Sequence, residues 1–132
     1  MRYLIDSNWI IDNLLNVQEA IDLLDKLSAD GFAVSIITYM EVYEGTLRAQ
    51  ATEELSEAFR TFFTTASILP LSPAVARRCA VLRQELRKQG KRVNSRALDL
   101  VIAATALEHN LEFVSNNKDD YDDIPGLTLY QI

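Results

Sequence analysis

The sequence has few of the residues on which several common classes of protein depend. It contains one cysteine, Cys79, so neither an intrachain disulfide nor a cysteine-rich metal site is possible. It contains one histidine, His109, which excludes a metal-free ribonuclease mechanism that needs two histidines within one chain. Its four glycines form no Gly-rich phosphate loop, so a nucleotide-driven enzyme is not expected.

Long apolar runs are also missing from the chain. No uninterrupted run approaches the ~20 residues that a membrane-spanning helix needs. The first apolar stretch, Tyr3 to Ile5, is interrupted by Asp6 after three residues, so it does not form a secretory signal. We therefore expect a cytoplasmic protein with no membrane contact, and a length of 132 residues predicts one domain, residues 1–132.

The charge of the chain is unevenly distributed. The formal net charge of −6 on its own argues against binding to nucleic acid, because phosphate contacts need basic surface. However, eight of the thirteen lysines and arginines lie between Arg77 and Arg96, where Glu85 is the single acid. This basic segment is either a solvated helix face or a surface that contacts an RNA backbone.

Short apolar, β-branched segments alternate with amphipathic helical segments along the chain. The predicted strands are 2–5, 32–36, 67–69, 111–115 and 127–130. The predicted helices are 9–15, 17–27, one that Thr38 opens, 53–65, one from Pro73 to near Gly90, and 98–109. Strands separated by helices pair in parallel through right-handed crossovers. The expected fold is therefore α/β, a three-layer α/β/α domain around a central, mostly parallel sheet of four or five strands.

Acidic residues recur at equivalent points of this pattern. Asp6 ends the first strand, and Glu41 and Asp99 each fall in the first turn of a predicted helix. A further polar group follows the strand 111–115 and comprises Asn117, Asp119 and Asp120. Ligands bind beyond the carboxyl ends of parallel strands, so several of these side chains should converge there. Crowded carboxylates repel one another unless a cation neutralises them, and Mg²⁺ prefers oxygen ligands, so the pattern predicts a metal site.

Each acid also has a structural interpretation. Asp6 can be a helix N-cap, Glu41 the second half of a capping box with Thr38, and Asp99 an acid that faces the helix dipole. For any one acid alone the structural interpretation is favoured. Their recurrence at three matching points weakens the structural interpretation without excluding it.

Four segments of the chain resemble the sequence blocks of the PIN-domain family, and in particular of the VapC-type toxins. The blocks are Tyr-Leu-Ile-Asp6-Ser-Asn, Ile37-Thr-Tyr-Met-Glu41-Val-Tyr-Glu-Gly45, Asp99-Leu-Val-Ile-Ala-Ala-Thr-Ala106, and Phe113-Val-Ser-Asn-Asn-Lys-Asp-Asp120-Tyr with Ile124-Pro-Gly-Leu127. The third and fourth blocks together are specific, and the resemblance extends over the whole chain.

The resemblance implies a role for each matching residue. Asp6, Glu41 and Asp99 correspond to the metal-binding catalytic acids, and Asp120 corresponds to the fourth acid. Asn117 stands where many members have an acid, which implies a polar contact to a metal water or to substrate. The residues expected to order the site are Ser7, Asn8 and Ser115, the two serines replacing the commoner threonine.

The implied activity is hydrolysis of RNA phosphodiester bonds, with transfer RNA among the expected substrates. The implied cofactor is Mg²⁺, for which Mn²⁺ can substitute. The resemblance also implies a homodimer and inhibition by a VapB-like antitoxin, which would place a helix in a hydrophobic groove and reach the acidic site with a cation.

Two alternatives remain at the level of the sequence. A Mg²⁺-dependent phosphatase on a doubly wound sheet also has an aspartate at the end of its first strand, but its second aspartate is Asn8 here. The second alternative is a non-catalytic interaction module with the PIN fold, which the replacement of an acid by Asn117 suggests.

Overall fold

A computed structural model describes residues 1–50 and 52–132. In these residues the strands are β1 (Tyr3–Ile5), β2 (Phe32–Ser35), β3 (Ser67–Leu69) and β4 (Glu112–Val114). The helices are α1 (Ser7–Leu14), α2 (Gln18–Ser28), α3 (Ile36–Arg48), α4 (Glu53–Thr65), α5 (Pro73–Lys88) and α6 (Ala97–Glu108). Single 3₁₀ turns cover Asn94–Arg96 and Lys118–Asp120.

The four strands form one parallel sheet in the order β3-β2-β1-β4. The predicted α/β fold with a parallel central sheet is therefore confirmed. The prediction of a regular strand at 127–130 is wrong, because the chain there makes only an isolated parallel bridge between Phe113 and Leu129. The amide of Leu127 is still hydrogen-bonded to the Ile124 carbonyl within the preceding turn, so pairing with β4 begins only at Thr128.

Alternate residues of the strands face two separate apolar cores, as expected for a sheet covered on both faces. Leu4 and Phe113 pack with α5 and α6 on one face. Ile5 and Val34 pack with residues of α1, α2, α3 and α4 on the other face, together with Val114. The sheet with one layer of helices packed on each face forms the predicted three-layer arrangement.

Two helices begin at least two residues earlier than the sequence pattern predicts. The helix α1 begins at Ser7 instead of residue 9, because Asp6 acts as its N-cap. The helix α3 begins at Ile36 because the Ser35 hydroxyl accepts a hydrogen bond from the Thr38 amide at 3.0 Å. Glu41 therefore lies in the second turn of α3 and not in the first, and its interpretation as half of a capping box with Thr38 is wrong.

Gly45 allows α1 and α3 to pack closely together. A Cβ atom added at Gly45 would lie 3.1 Å from the Ile11 Cδ1 atom, which is tighter than ordinary van der Waals contact. This close approach gives a packing reason for the glycine that comes four residues after Glu41. It also fixes α3, which carries Glu41, against the helix that begins beside Asp6.

Within residues 1–50 and 52–132, no helix has the length and apolar character needed to cross a membrane.

Candidate active site

Asp6 lies at the carboxyl end of β1 and is held by hydrogen bonds on both carboxylate oxygens. The Ser7 amide donates to Oδ1 at 2.8 Å, and the Ser115 hydroxyl donates to Oδ2 at 2.7 Å. The Ser115 oxygen in turn accepts a hydrogen bond from the Asn117 amide at 3.0 Å. Because Ser115 follows β4 directly, this chain of bonds ties the end of β4 to the buried Asp6 side chain.

The electrostatic environment of Asp6 is unfavourable to its negative charge. Burial raises the pKa of Asp6 above its usual value, and the nearby charges of Asp99 and Asp120 raise it further. The hydrogen bonds from Ser115 and Ser7 act in the opposite direction by stabilising the carboxylate. Carboxylates from three distant parts of the chain therefore lie close enough to repel one another.

Glu41 of α3 belongs to the same group of acids. Its pKa is raised to about 7, first by partial burial and then by the charges of Asp6, Asp99 and Glu44. A hydrogen bond from the Ser7 side chain offsets part of this increase. The structure thus brings together Asp6, Glu41 and Asp99, which the sequence separates by as many as 93 positions.

Tyr121 places a phenol hydroxyl beside these acids. Its side chain is buried, and its ring contacts the Phe113 ring edge-on at a centroid distance of 4.6 Å. Burial raises the pKa of Tyr121, and the charges of Asp6 and Asp99 raise it further. The sequence pattern identifies Tyr121 only as the aromatic residue after Asp120; its contact with the acids depends on the tertiary fold.

The loop after β4 carries Asn117 and Asp120, both of which are exposed. Asp120 lies in the 3₁₀ turn Lys118–Asp120, and its charge reaches Asp6, as the raised pKa of Asp6 shows. Asn117 contributes its backbone amide to the Ser115 hydrogen bond. Asn8 is exposed in the first turn of α1, and its ordering role stays a prediction.

Arg96 is not a surface residue of the basic segment, and the prediction that it belongs to a solvated or RNA-contacting face is wrong. Its side chain is 8% exposed, and its guanidinium donates to both carboxylate oxygens of Asp123 at 2.8 and 2.9 Å. A third hydrogen bond, at 2.6 Å, goes to the backbone carbonyl of Asp120. Sequence reasoning missed this contact because the partners are 24 and 27 positions away.

The acidic pocket, by which we mean the group Asp6, Glu41, Asp99 and Asp120, has donor atoms that suit a hard divalent cation. It consists of carboxylate oxygens whose mutual repulsion a cation would relieve, as the raised pKa values of Asp6 and Glu41 indicate. In the described part of the chain, no three acidic, histidine or cysteine side chains are arranged to hold an ion by themselves. Mg²⁺ usually keeps several waters and takes one or two carboxylates directly, so the other acids of the group would hold it through bound water.

The family model of the PIN domain matches residues 3–127. The chain belongs to the PIN domain family. The PIN domain is 28% identical to ribonuclease VapC2 of Haemophilus influenzae over 129 residues, which are 96% of this chain and 95% of that protein. It is 25% identical to the tRNA(fMet)-specific endonuclease VapC of Shigella flexneri over 127 residues, again 96% of this chain and 95% of that protein.

Among solved structures, the PIN domain is similar to that of DNA-bound VapBC from Salmonella typhimurium. The TM-score is 0.85 with 26% sequence identity, and the superposition covers 98% of this chain and 97% of that one. The resemblance to VapC-type toxins that the four sequence blocks indicated is therefore confirmed. The candidate acids Asp6 and Asp99 lie inside the matched region, as do Glu41 and Asp120.

Proposed function

We propose that this PIN domain is a metal-dependent endoribonuclease that acts as the toxin of a VapBC-type toxin–antitoxin pair. The observation that carries the proposal is the proximity of Asp6, at the carboxyl end of β1, to Glu41 and Asp99, whose negative charges act on one another. The names of the VapC relatives, which are a ribonuclease and a tRNA endonuclease, support this choice of activity.

The residues that would hold Mg²⁺ or Mn²⁺ are Asp6, Glu41 and Asp99, with Asp120 as a fourth acid. When bound, such a cation activates water for in-line attack and stabilises charge on the phosphate and the leaving oxygen. Asp6 is suited to binding because Ser7 and Ser115 fix the direction of its carboxylate before any ligand arrives.

Glu41 is the acid best suited to accept a proton from the attacking water. Its pKa is raised to about 7 in the metal-free protein, so its carboxylate can take up a proton near neutral pH, although a bound cation would lower this pKa by relieving the repulsion from Asp6 and Asp99. The products of this hydrolysis would carry 5′-phosphate and 3′-hydroxyl ends.

The substrate that we propose is exposed RNA backbone, with transfer RNA as the leading candidate because one relative is named for it. The basic residues near the end of α5 support this choice, namely Arg87, Lys88, Lys91 and Arg92, all of which are exposed. Arg83 bonds to Asn94 at 3.3 Å, which places this end of α5 beside the turn that precedes Asp99. A basic track next to the acidic pocket would hold phosphates without reading their sequence.

The partner that we propose is a VapB-like antitoxin bound in the groove between α1 and α4. This groove has a volume of about 630 Å³, and its apolar lining includes Leu14, Leu15, Leu55 and Phe62. The helix α1 is only eight residues, or ~12 Å, long. Its last residues line this groove, and its first residue, Ser7, lies beside the acids. An antitoxin helix in the groove could therefore extend a short basic segment into the acids, where its cation would compete with Mg²⁺.

We also propose that the protein forms a homodimer in the cytoplasm. The supporting feature is an apolar stripe on α3, where Ile36, Met40, Tyr43 and Leu47 are exposed at helical spacing. Exposed apolar stripes of this kind mark interaction surfaces.

The experiment that tests the proposed activity uses the toxin purified without its partner. Total RNA is incubated with Mg²⁺, with Mn²⁺ or with EDTA, and the cut ends are mapped by sequencing. We expect cleavage only with a divalent cation. In parallel, Asp6→Asn and Asp99→Asn should keep the circular dichroism spectrum of the wild type and lower the cleavage rate by on the order of a hundredfold or more, the scale of losing one key electrostatic group.

Three outcomes would contradict the proposal. Normal RNA cleavage by both variants would show that the acids are not catalytic. Hydrolysis of a small phosphomonoester with RNA left intact would favour the phosphatase alternative. No cleavage of any substrate, with the antitoxin still captured, would favour a non-catalytic PIN module.

A further inference from the structure

Arg96 differs from the other ion-paired arginines of the described chain in its burial. The side chains of Arg2, Arg60 and Arg78 are 48% to 62% exposed, whereas that of Arg96 is 8% exposed. A buried guanidinium must be matched by acceptors, because an unpaired buried charge is strongly destabilising. Arg96 has such acceptors in the Asp123 carboxylate and the Asp120 carbonyl, with a longer bond to the Arg92 carbonyl at 3.4 Å.

These bonds join the two segments that bring acids to the pocket. Arg96 ends the turn before α6, and Asp99 follows it by three residues in the first turn of α6. Its partners lie in the loop after β4, on either side of Tyr121. Through three short hydrogen bonds, the Arg96 side chain therefore joins the loop after β4 to the start of α6.

We propose that Arg96 is a positioning residue for the acidic site, which holds the Asp120–Asp123 loop against the start of α6 and so fixes Asp120 and Tyr121 beside Asp99. This role rests on the proposed nuclease function, since it concerns the geometry of the same site. Arg96 contacts neither substrate nor reacting atoms. It acts through the Asp120 backbone and the Asp123 carboxylate.

The geometry explains why an arginine occupies this position. The planar guanidinium presents several N–H groups in a rigid fork, so it can bond both oxygens of Asp123 and still donate to the Asp120 carbonyl. A lysine keeps the charge but has one nitrogen and cannot reproduce this pattern. The substitution Arg96→Lys therefore separates the role of the hydrogen-bond geometry from that of the charge.

The first test is made on the metal-free protein and does not depend on activity. Amide hydrogen exchange is measured in EDTA for wild type, Arg96→Lys and the control Arg2→Lys, whose arginine pairs with Asp30 and Glu112 before β1. We expect Arg96→Lys to speed exchange at the amides of Asp120, Tyr121 and Ile124 by about tenfold or more, as for local opening of a loop. Amides of β1 and β2 should be unchanged, and Arg2→Lys should leave the loop amides protected.

Asp123→Asn provides a second, independent variant, because it removes the charge from the other partner of the same ion pair. We expect Asp123→Asn to speed exchange at the same loop amides, so it can serve as the test if Arg96→Lys does not fold. Unchanged exchange of the loop amides in the folded variants would overturn the positioning role.

The second test asks whether Arg96 acts through Asp120. At a temperature where all variants are folded, Arg96→Lys should lower kcat for RNA cleavage by on the order of tenfold, as for loss of a residue that orients a ligand. In an Asp120→Ala background, where the positioned acid is gone, Arg96→Lys should have little further effect. Fully additive losses in the double variant would contradict the inference. If the wild type itself fails to cleave RNA, the proposed function is wrong, while the exchange experiment still decides the positioning role.

Discussion

The substitution Glu41→Gln should make the metal-free protein more stable at neutral and alkaline pH. The pKa of Glu41 is about 7 in the folded protein, against 4.5 for an unperturbed glutamate, because burial and the acids around it penalise its charge. The glutamine is uncharged at every pH and keeps the size of the side chain. It therefore removes the penalty without leaving a cavity.

The pH dependence of the effect is a consequence of proton linkage. Below pH 4.5, Glu41 is protonated in both the folded and unfolded states, so its burial does not lower the stability of the folded state. Between pH 4.5 and about 7 the folded state binds more protons than the unfolded state, so wild-type stability falls as the pH rises. Above about pH 7 the penalty is complete, and the variant should have its full advantage.

The size of the effect can be worked out from the same change in pKa. A difference of about 2.5 pH units corresponds to ~3.4 kcal/mol at most, at ~1.36 kcal/mol per unit. Glu41 is only partly buried, so solvent and salt screen much of this interaction, and about 1–2 kcal/mol is expected. For a domain of this length the increase in Tm is roughly 4 °C per kcal/mol.

The assay is urea denaturation in EDTA at pH 5, 6, 7 and 8, with Glu85→Gln as the control for losing an exposed acid on α5. The control should change stability by less than ~0.5 kcal/mol at every pH. Adding Mn²⁺ should reduce the advantage of Glu41→Gln, because a cation at 100 times its wild-type Kd stabilises folded wild type by about 2.7 kcal/mol and the variant, which binds it more weakly, by less. A variant no more stable than wild type at pH 8 in EDTA would refute the argument that these acids crowd one another.

Three further predictions concern other parts of the molecule. Leu86 of α5 is fully buried in the core, so Leu86→Ala should lower the free energy of unfolding, measured by urea denaturation, by about 2–5 kcal/mol. Lys91→Gln combined with Arg92→Gln should raise the KM for RNA and flatten its dependence on salt concentration, as measured by initial rates between low and physiological salt. Arg96 lowers the pKa of Asp123. The Asp123 carboxylate therefore stabilises the fold above its unfolded-state pKa of about 3.9, and this contribution is lost as the pH falls further. Asp123→Asn should show a shallower loss of Tm than wild type between pH 5 and pH 2.

Much of the fold and the main acids could be predicted from local sequence patterns. The strands around Leu4, Val34 and Phe113 are short, apolar and bounded by helical segments, a pattern that specifies parallel pairing. Parallel pairing in turn places the residue after each strand at the same edge of the sheet. The position of Asp6 at the end of β1 could be predicted from this rule alone.

The predicted bounds of helices and strands were wrong where a hydrogen bond between close neighbours competed with the apolar pattern. The β-branched neighbours of Ser35 favour a strand that continues to Ile36, but the Ser35 hydroxyl caps α3 through Thr38. The segment after Gly126 is apolar enough for a strand, but its first amide bonds within the turn, so only one bridge to Phe113 forms.

The role of Arg96 could not be predicted, because nothing in a run of basic residues distinguishes the one that turns inward. Its burial depends on Asp120 and Asp123, which come near it only after β4 and α6 have packed. Likewise, the Tyr121 hydroxyl lies beside the acids only once its ring has packed on Phe113.

The central claim is that acids from distant parts of the chain hold one cation. Isothermal titration of Mn²⁺ into the metal-free protein tests it most directly, with Asp6→Asn, Glu41→Gln and Asp99→Asn measured in the same buffer. We predict that the wild type binds Mn²⁺ and that each single substitution weakens binding severalfold or more. Unchanged Mn²⁺ affinity in all three variants would contradict a shared site.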